Sequence, residues 1–488
     1  MAAQKGPVGF LSEAAKVSIV SWVKNVSALA EFRVQGDQRG VIMKFVIIGG
    51  DAAGMSAASR AKRNIPDMEV TVLEKTSDVS YSACGMPYNI AEPEVAIESL
   101  VVRQAHVFRE RQGIDLRIGH RVESIDRTEK VVSGVDSEGK GFEVPYDKLL
   151  IATGATPIIP HVPGTDLPGV MSLKSLGDGR RIKDYIGRQN IKKAVIIGMG
   201  YIALEMVEAL HARKIAVDMV KPRPVFIPWM NREMAPVVKE EVERHGVRLY
   251  AGHKIERIEN GNDTLKVVCA DLTLEGQMVL IAVGVRPASE LAAAAGLELG
   301  PANAISVDKA VRTSDADIYS AGDCADAFHV VTNKKTWIPL ALRANRAGWA
   351  AADNVAGKAV ELQGIVGTAV FKVFDLQVAR TGLSVSEAET FGFNPVEVMI
   401  TARSRAHAHP DTSNIYVQMV GDQESGRLLG AQLVGKEGAA HRVNAPAVAL
   451  HRRMSVAEFS QCDLAYAPPF GPTWDPMLTA ANQLLKKM

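Results

Sequence analysis

Two glycine-rich turns carry the plainest chemical signal in the chain. Phe45-Val46-Ile47-Ile48 runs straight into Gly49-Gly50-Asp51-Ala52-Ala53-Gly54, and Ala194-Val195-Ile196-Ile197 runs into Gly198-Met199-Gly200-Tyr201-Ile202-Ala203. Residues without side chains let a diphosphate approach the backbone. A helix opening behind them turns free N–H groups and a positive dipole end toward that charge. The second turn is a clean G-x-G-x-x-A; in the first, Asp51 replaces the usual middle glycine. Glu74 ends the next strand about 25 residues past Gly49, where a carboxylate can accept hydrogen bonds from a ribose 2′-hydroxyl. The matching place after the second turn holds Lys221, Pro222 and Arg223. A Lys and an Arg there suit the 2′-phosphate of NADPH, and equally suit a solvated loop, so the second site reads as NAD(P)H with a slight lean to NADPH. The four cysteines, Cys84, Cys269, Cys324 and Cys462, show no C-x-x-C or metal-ligand spacing, which argues against a disulfide scaffold or a metal site and favours the reducing cytoplasm.

The elements that must position these turns follow the pattern of α/β nucleotide-binding units. Each apolar run is the sort a parallel strand buried on both faces requires. Helices are expected from the first turn to about Arg63, from Leu204 to about Arg213, and from about Pro339 to Asn354. Two such units in one chain say far more than one, since a lone glycine turn is common by chance. Apolar strands ending at Gly154 and Gly284 read as the seams where the chain enters and leaves the second unit, and from Gly364 strands alternate with short helices, as in an α+β domain. A length of 488 residues is consistent with about three domains. The expected organisation is an unassigned extension over 1–42, a nucleotide-binding domain over 43–157 completed by 285–362, a second over 158–284, and an α+β domain over 363–488. The extension is not read as a signal peptide, because Glu13, Lys16 and Lys24 interrupt its apolar stretch. A formal charge of +1 offers no field for nucleic acid, and nothing in the composition asks for a membrane.

Residues 80–88 read Ser-Tyr-Ser-Ala-Cys-Gly-Met-Pro-Tyr. With Ala152-Thr-Gly-Ala-x-Pro157, Tyr319-Ser-Ala-Gly-Asp323 and Tyr466-Ala-Pro-Pro469, the chain from Met43 onward resembles the single-cysteine branch of the pyridine nucleotide-disulfide oxidoreductases. That branch holds coenzyme A disulfide reductases, NADH oxidases and peroxidases, and NADH-dependent polysulfide reductases. The resemblance implies two Rossmann-like domains, for FAD and NAD(P), and a C-terminal α+β domain that makes a homodimer. It implies FAD contacts at Gly49, Ala53, Gly54, Glu74, Lys75, Val122, Ala152, Thr153, Gly154, Asp323 and Ala341. It implies nicotinamide-cofactor contacts at Gly198, Gly200, Tyr201, Ile202, Glu205, Lys221, Arg223 and Gly284, with Tyr201 as an aromatic gate over the flavin.

Cys84 would lie against the flavin, its thiol pKa lowered by helix N-termini and by charge transfer to oxidised flavin. Where the glutathione reductase branch has a second cysteine, this chain has Asn89, so the second sulfur is expected to come from a small disulfide, persulfide or polysulfide. Tyr466 matches a tyrosine that protonates the leaving thiolate at the partner subunit's cysteine. The chain departs from the coenzyme A disulfide reductases at His407-Ala408-His409-Pro410, where those enzymes carry Tyr-Tyr-Pro; His409 could serve as the acid instead. Arg60, Lys62 and Arg63 form a basic patch where the resembling reductases hold coenzyme A phosphates, and Tyr88 borders the same site. Ala53 stands where peroxidase and oxidase members carry a histidine, which weakens the alternative of an NADH oxidase working through a Cys84 sulfenate. A flavin-bound redox sensor or electron-transfer partner is the reading from another class.

Overall fold

The computed structural model describes residues 42–488, and the extension read over 1–42 lies outside them apart from Ile42. The strand Lys44–Ile48 is central to a five-stranded parallel sheet ordered 318–320, 148–151, 44–48, 69–74, 115–118. Phe45 through Ile48 are all buried. Such continuous apolarity is what a strand covered on both faces demands, and each of these side chains contributes roughly 1.5–3 kcal/mol by leaving water. A second parallel sheet has the order 248–251, 216–221, 193–197, 278–281, 170–172. In both sheets the strand that precedes the glycine turn is central, so both turns open at a sheet's carboxyl edge, where ligands bind in folds of this class.

A short antiparallel ribbon, Ala155–Pro157 with Val285–Pro287, joins the chain on its way into and out of the second sheet. The C-terminal part is a five-stranded antiparallel sheet, ordered 369–373, 376–382, 428–435, 414–422, 395–403, with helices Asn444–His451 and Pro476–Leu485. One apolar core unites the helix after the second turn with Met86 and Ile90 beside Cys84, and with Phe371, Phe374 and Val434 of the C-terminal sheet. This shared core fixes the cysteine segment relative to the second nucleotide unit.

The helices open earlier or later than expected by a few residues. The first spans Ala52–Asn64, the second Tyr201–Ala212, and the third Ala341–Val355. Tyr201 and Ile202 are poor helix formers by propensity, and the packing of this turn against its neighbours overrides that preference.

Candidate active site

The two glycine turns are built alike. Gly49 has φ 110° and Gly198 φ 123°; a Cβ on the first would lie 2.2 Å from the Ala152 carbonyl oxygen, and on the second 2.2 Å from that of Ala282. Only glycine meets both demands. Gly54 is equally constrained, since a Cβ there would come within 1.9 Å of the Gly49 oxygen. Gly200 and Gly154 differ: a Cβ on either would meet nothing within 4 Å. The open space at Gly200, ahead of a helix whose first N–H groups carry no side-chain cap, fits a diphosphate.

Glu74 is buried, and its carboxylate accepts from the Gly50 N–H at 2.7 Å and from the Thr76 N–H and hydroxyl, each at 2.8 Å. The acid is thus oriented by the turn it serves. The His120 N–H donates to the Glu74 carbonyl at 2.8 Å, so Lys75 and the strand holding Val122 share this edge. Thr153 Oγ1 donates to the Ala288 carbonyl at 2.6 Å, and the Ala288 N–H to that of Gly154 at 2.9 Å, which pins Ala152–Gly154 to the segment after Gly284. Asp323 is paired with Lys174 at 3.1 Å, and its carbonyl accepts from Trp337 Nε1 at 2.8 Å. Buried Arg343 donates to the Gly322 carbonyl at 2.8 Å, so the Gly-Asp turn is clamped where the helix opening at Ala341 begins. Ala53 is buried against Gly322 and Gly348.

Burial pushes the Asp51 carboxyl up to about 6; the Tyr81 N–H and then Lys174 oppose this, while Glu74 and Asp323 add to it. Asp51 is therefore neutral below that pH and anionic above it, where it repels a diphosphate. FAD is expected to be held more tightly at pH ~5.5 than at pH ~8, and Asp51→Asn to remove that dependence and tighten binding roughly tenfold at pH ~8. Flavin retention measured by equilibrium dialysis across this range checks both.

Cys84 is exposed on the short helical turn Ala83–Gly85, which leads into the helix Met86–Ala91. Tyr88, one turn further on, donates its hydroxyl to Glu205 Oε1 at 2.9 Å, although 117 residues separate them in sequence. Cysteine, phenol and carboxyl thereby form one cluster between the two nucleotide units. The expected lowering of the Cys84 pKa by the chain itself is not found. Although the residue is exposed, the surrounding protein strips solvent from its sulfur; this and then the Glu205 carboxylate push the thiol up, Lys174 opposes, and Asp323 and Asp51 add to the rise. Loss of solvent around the sulfur comes first among these causes, and the three acids gathered from distant segments reinforce it. Asn89 is buried; its side chain reaches the Ala96 carbonyl at 3.2 Å and receives Lys183 Nζ at 2.9 Å. The position of the missing second cysteine is thus a structural anchor.

The basic patch on the first helix also differs from expectation. Arg60 makes a two-pronged ion pair with Asp353, at 2.8 and 3.0 Å, and Lys62 donates to the carbonyls of Pro66 and Met68. Asp353, held well below the usual carboxylate range at about 2 by Arg60, consumes that charge because the third helix packs on the first. Arg63 alone remains exposed and uncommitted. Among the residues expected to meet the nicotinamide cofactor, Ile202 and Arg223 are exposed, while Lys221 donates to the Val225 carbonyl at 2.7 Å.

Tyr466 and His409 lie on neighbouring loops of the C-terminal unit, joined by the Ala406 N–H donating to the Pro468 carbonyl at 3.1 Å. Arg442, which sequence reasoning missed, bridges them by donating to the carbonyls of Ser404 at 3.2 Å and Phe470 at 2.7 Å, and is held by Asp475 at 2.8 Å. His409 Nδ1 meets the Pro410 carbonyl at 2.8 Å, and Tyr466 is half exposed. Among the described residues no helix is long and apolar enough to cross a membrane, and no group of three or more His, Cys, Asp or Glu side chains is placed to hold a metal.

Comparison with known proteins agrees with this arrangement. Residues 43–348 match the pyridine nucleotide-disulphide oxidoreductases and residues 368–477 that family's dimerisation domain. The chain is 38% identical over 442 residues to an NAD(P)H sulfur oxidoreductase (CoA-dependent) of Pyrococcus furiosus, covering 90% of this chain and 99% of that one. It is 33% identical over 448 residues to an NADH oxidase of Methanocaldococcus jannaschii, covering 91% and 99%. The structure of an NAD-dependent persulfide reductase from A. fulgidus superposes with a TM-score of 0.88 at 35% identity, covering 91% of this chain and 83% of that one. The chain belongs to the pyridine nucleotide-disulphide oxidoreductase family: it is an NAD(P)-linked flavoprotein oxidoreductase with two Rossmann-like domains and a dimerisation domain.

Proposed function

We propose that this protein uses NAD(P)H to reduce low-molecular-weight disulfides, persulfides or polysulfides, of the coenzyme A disulfide kind, at Cys84. The observation that carries this reading is the exposed, unpaired thiol of Cys84 with buried Asn89 in place of a second cysteine. A sulfur with no internal partner must take its partner from the substrate. The names of the Pyrococcus furiosus and A. fulgidus relatives support the same class.

The glycine turns with Glu74 and Asp323 suit FAD, and the second turn suits the nicotinamide cofactor. Bound FAD would supply a two-electron relay between nicotinamide and sulfur. The Cys84 thiolate attacks one substrate sulfur, the S–S bond breaks, and the leaving thiolate takes a proton. Two electrons then cleave the mixed disulfide on Cys84, returning its thiolate and, with a second proton, the second thiol. The balance is NAD(P)H + H⁺ + RSSR → NAD(P)⁺ + 2 RSH. The chain's own surroundings push the Cys84 thiol up, and bound FAD would be the group that favours its thiolate.

Exposed Phe470 and Trp474 stand beside the Tyr466 loop, an apolar surface suited to a second copy of the chain. In a homodimer Tyr466 would reach the partner's cysteine as the acid for the leaving thiolate, with His409 on the adjoining loop. Tyr466→Phe is expected to slow acceptor reduction on the order of 10²-fold while flavin reduction by NAD(P)H keeps its rate, checked by stopped-flow absorbance of each half-reaction. Arg63 is the cation left to meet a coenzyme A phosphate, and free thiol chemistry of this kind belongs in the cytoplasm.

The test is anaerobic turnover with coenzyme A disulfide or polysulfide, counting thiol or sulfide released per NAD(P)H. Two thiols per NAD(P)H from the disulfide are expected. Turnover that requires oxygen would replace this reading with an NADH oxidase, as the Methanocaldococcus relative is named. Slow oxidation with every small acceptor would favour a redox sensor or an electron-transfer partner.

A further inference from the structure

We propose that Trp229 is a positioning residue that couples the adenosine end of the nicotinamide-cofactor pocket to the Tyr201 gate, so that a 2′-phosphate speeds hydride delivery as well as tightening binding. The inference rests on the reading above that Tyr201 covers the flavin and that Lys221 and Arg223 meet the adenosine ribose.

The connection runs through residues 222–234, the irregular stretch between the strand Ala216–Lys221 and the helix Ala235–Arg244. At its start, Lys221 donates to the Val225 carbonyl at 2.7 Å, so the candidate phosphate-binding cation is engaged by the stretch itself. Two residues on, buried Ile227 sits at φ 47°. A β-branched residue in the left-handed region is unfavourable and persists only where its surroundings hold it. Trp229 follows, with its ring centroid 5.3 Å from that of Tyr201; Phe371 of the C-terminal sheet lies 4.9 Å from Tyr201 and 6.5 Å from Trp229.

The far side of the stretch is tied to the C-terminal sheet. Buried Gln432 donates to the Trp229 carbonyl at 3.0 Å and accepts from the Asn231 N–H at 2.9 Å. Arg380, paired with Glu387 at 2.7 Å, lies 5.2 Å over the Trp229 ring. Trp229 is therefore tied at its carbonyl to the C-terminal sheet, and its ring contacts that of Tyr201 in front. What varies is the tie at Lys221.

A 2′-phosphate makes charge-assisted hydrogen bonds with Lys221 and draws its amine from the Val225 carbonyl. Residues 225–228 lose that restraint, Ile227 is free to leave its strained conformation, and the Trp229 ring, into which this segment leads, shifts against Tyr201. NADH, with a plain 2′-hydroxyl, leaves the Lys221–Val225 bond in place. A ligand shifts a two-state gate only by its differential interaction with the two states, and this bond supplies that difference.

The test uses the holoenzyme under anaerobic conditions with 1-benzyl-1,4-dihydronicotinamide, a hydride donor that carries no adenosine. Saturating 2′,5′-ADP is expected to raise the limiting rate of flavin reduction about fivefold, the lower end of ordinary coupling between sites, and 5′-ADP to change it less than about twofold. Trp229→Ala should be fast without either nucleotide and unresponsive to both, whereas Trp229→Phe, which keeps a ring on the gate, should retain the response. Hydrogen–deuterium exchange gives a readout separate from activity: 2′,5′-ADP should increase exchange over 222–231 and over the first turn of the helix Tyr201–Ala212. The coupling is overturned if 2′,5′-ADP competes with NADPH yet leaves both rate and exchange unchanged. If 2′,5′-ADP does not compete with NADPH, the reading of the Lys221 and Arg223 pocket falls, and the coupling falls with it.

Discussion

Cys84→Ser is expected to keep its flavin and to accept hydride from NAD(P)H at the wild-type rate, while turnover with disulfide or polysulfide falls by ~10³-fold or more, the scale seen when a unique nucleophile is removed. The separation follows from where Cys84 stands. It belongs to the short turn Ala83–Gly85, outside both glycine turns, so its loss takes away the sulfur acceptor's attachment point and leaves the nucleotide cradles intact. Serine is nearly isosteric but a far weaker nucleophile near neutral pH, and the acids that already push the thiol up would do the same to a hydroxyl. Steady-state rates with each acceptor, set beside single-turnover flavin reduction, check both halves. Equal loss in both would mean that Cys84 supports the cradle and is not the point of electron exit.

Gly49→Ala and Gly198→Ala are expected to separate the two cofactors. Each change forces a Cβ to within 2.2 Å of a backbone carbonyl at a positive φ, so the turn must move, at a cost of about 3 kcal/mol or more. In Gly49→Ala the moved turn is the one that Glu74 braces through the Gly50 N–H, and the protein should purify with little or no flavin. In Gly198→Ala the moved turn is the one that opens the helix beginning at Tyr201, so the flavin should remain and its reduction by NAD(P)H should slow at least ~10²-fold. Absorbance of the purified variants and stopped-flow reduction with NAD(P)H are sufficient measurements. A flavin-free Gly198→Ala protein would contradict this assignment of the two turns.

The parts of the fold legible in the sequence are those set by neighbours along the chain. Phe45–Ile48 announces a strand buried on both faces because apolarity has no gap, and Gly49 announces the turn because only glycine takes its backbone conformation. Glu74 could be picked out by its distance from the turn. What stayed hidden depends on pairs distant in sequence. Lys174 meets Asp323, Tyr88 meets Glu205, and Arg442 joins the Tyr466 and His409 loops, and no local pattern marks any of these pairings.

The same physics explains the readings that changed. Arg60 reads as a free cation until Asp353, 293 residues away, is packed beside it. Cys84 reads as a thiol at a helix start, yet the packing around its sulfur pushes the thiol up, and Glu205, Asp323 and Asp51, arriving from three other segments, add to the rise. Trp229 carried no signal at all, because its meaning lies in rings contributed by Tyr201 and Phe371.

On the proposed function, electrons leave the protein through substrate sulfur bound at Cys84. Its most direct test is to reduce the wild-type protein anaerobically with NAD(P)H, remove excess reductant, and mix it with coenzyme A disulfide or polysulfide in a stopped-flow spectrometer. Reoxidation of the flavin without oxygen is expected, at a rate no slower than turnover, and is expected to be lost in Cys84→Ser. A flavin that stays reduced until oxygen is admitted, or one that reoxidises equally well in Cys84→Ser, would contradict it.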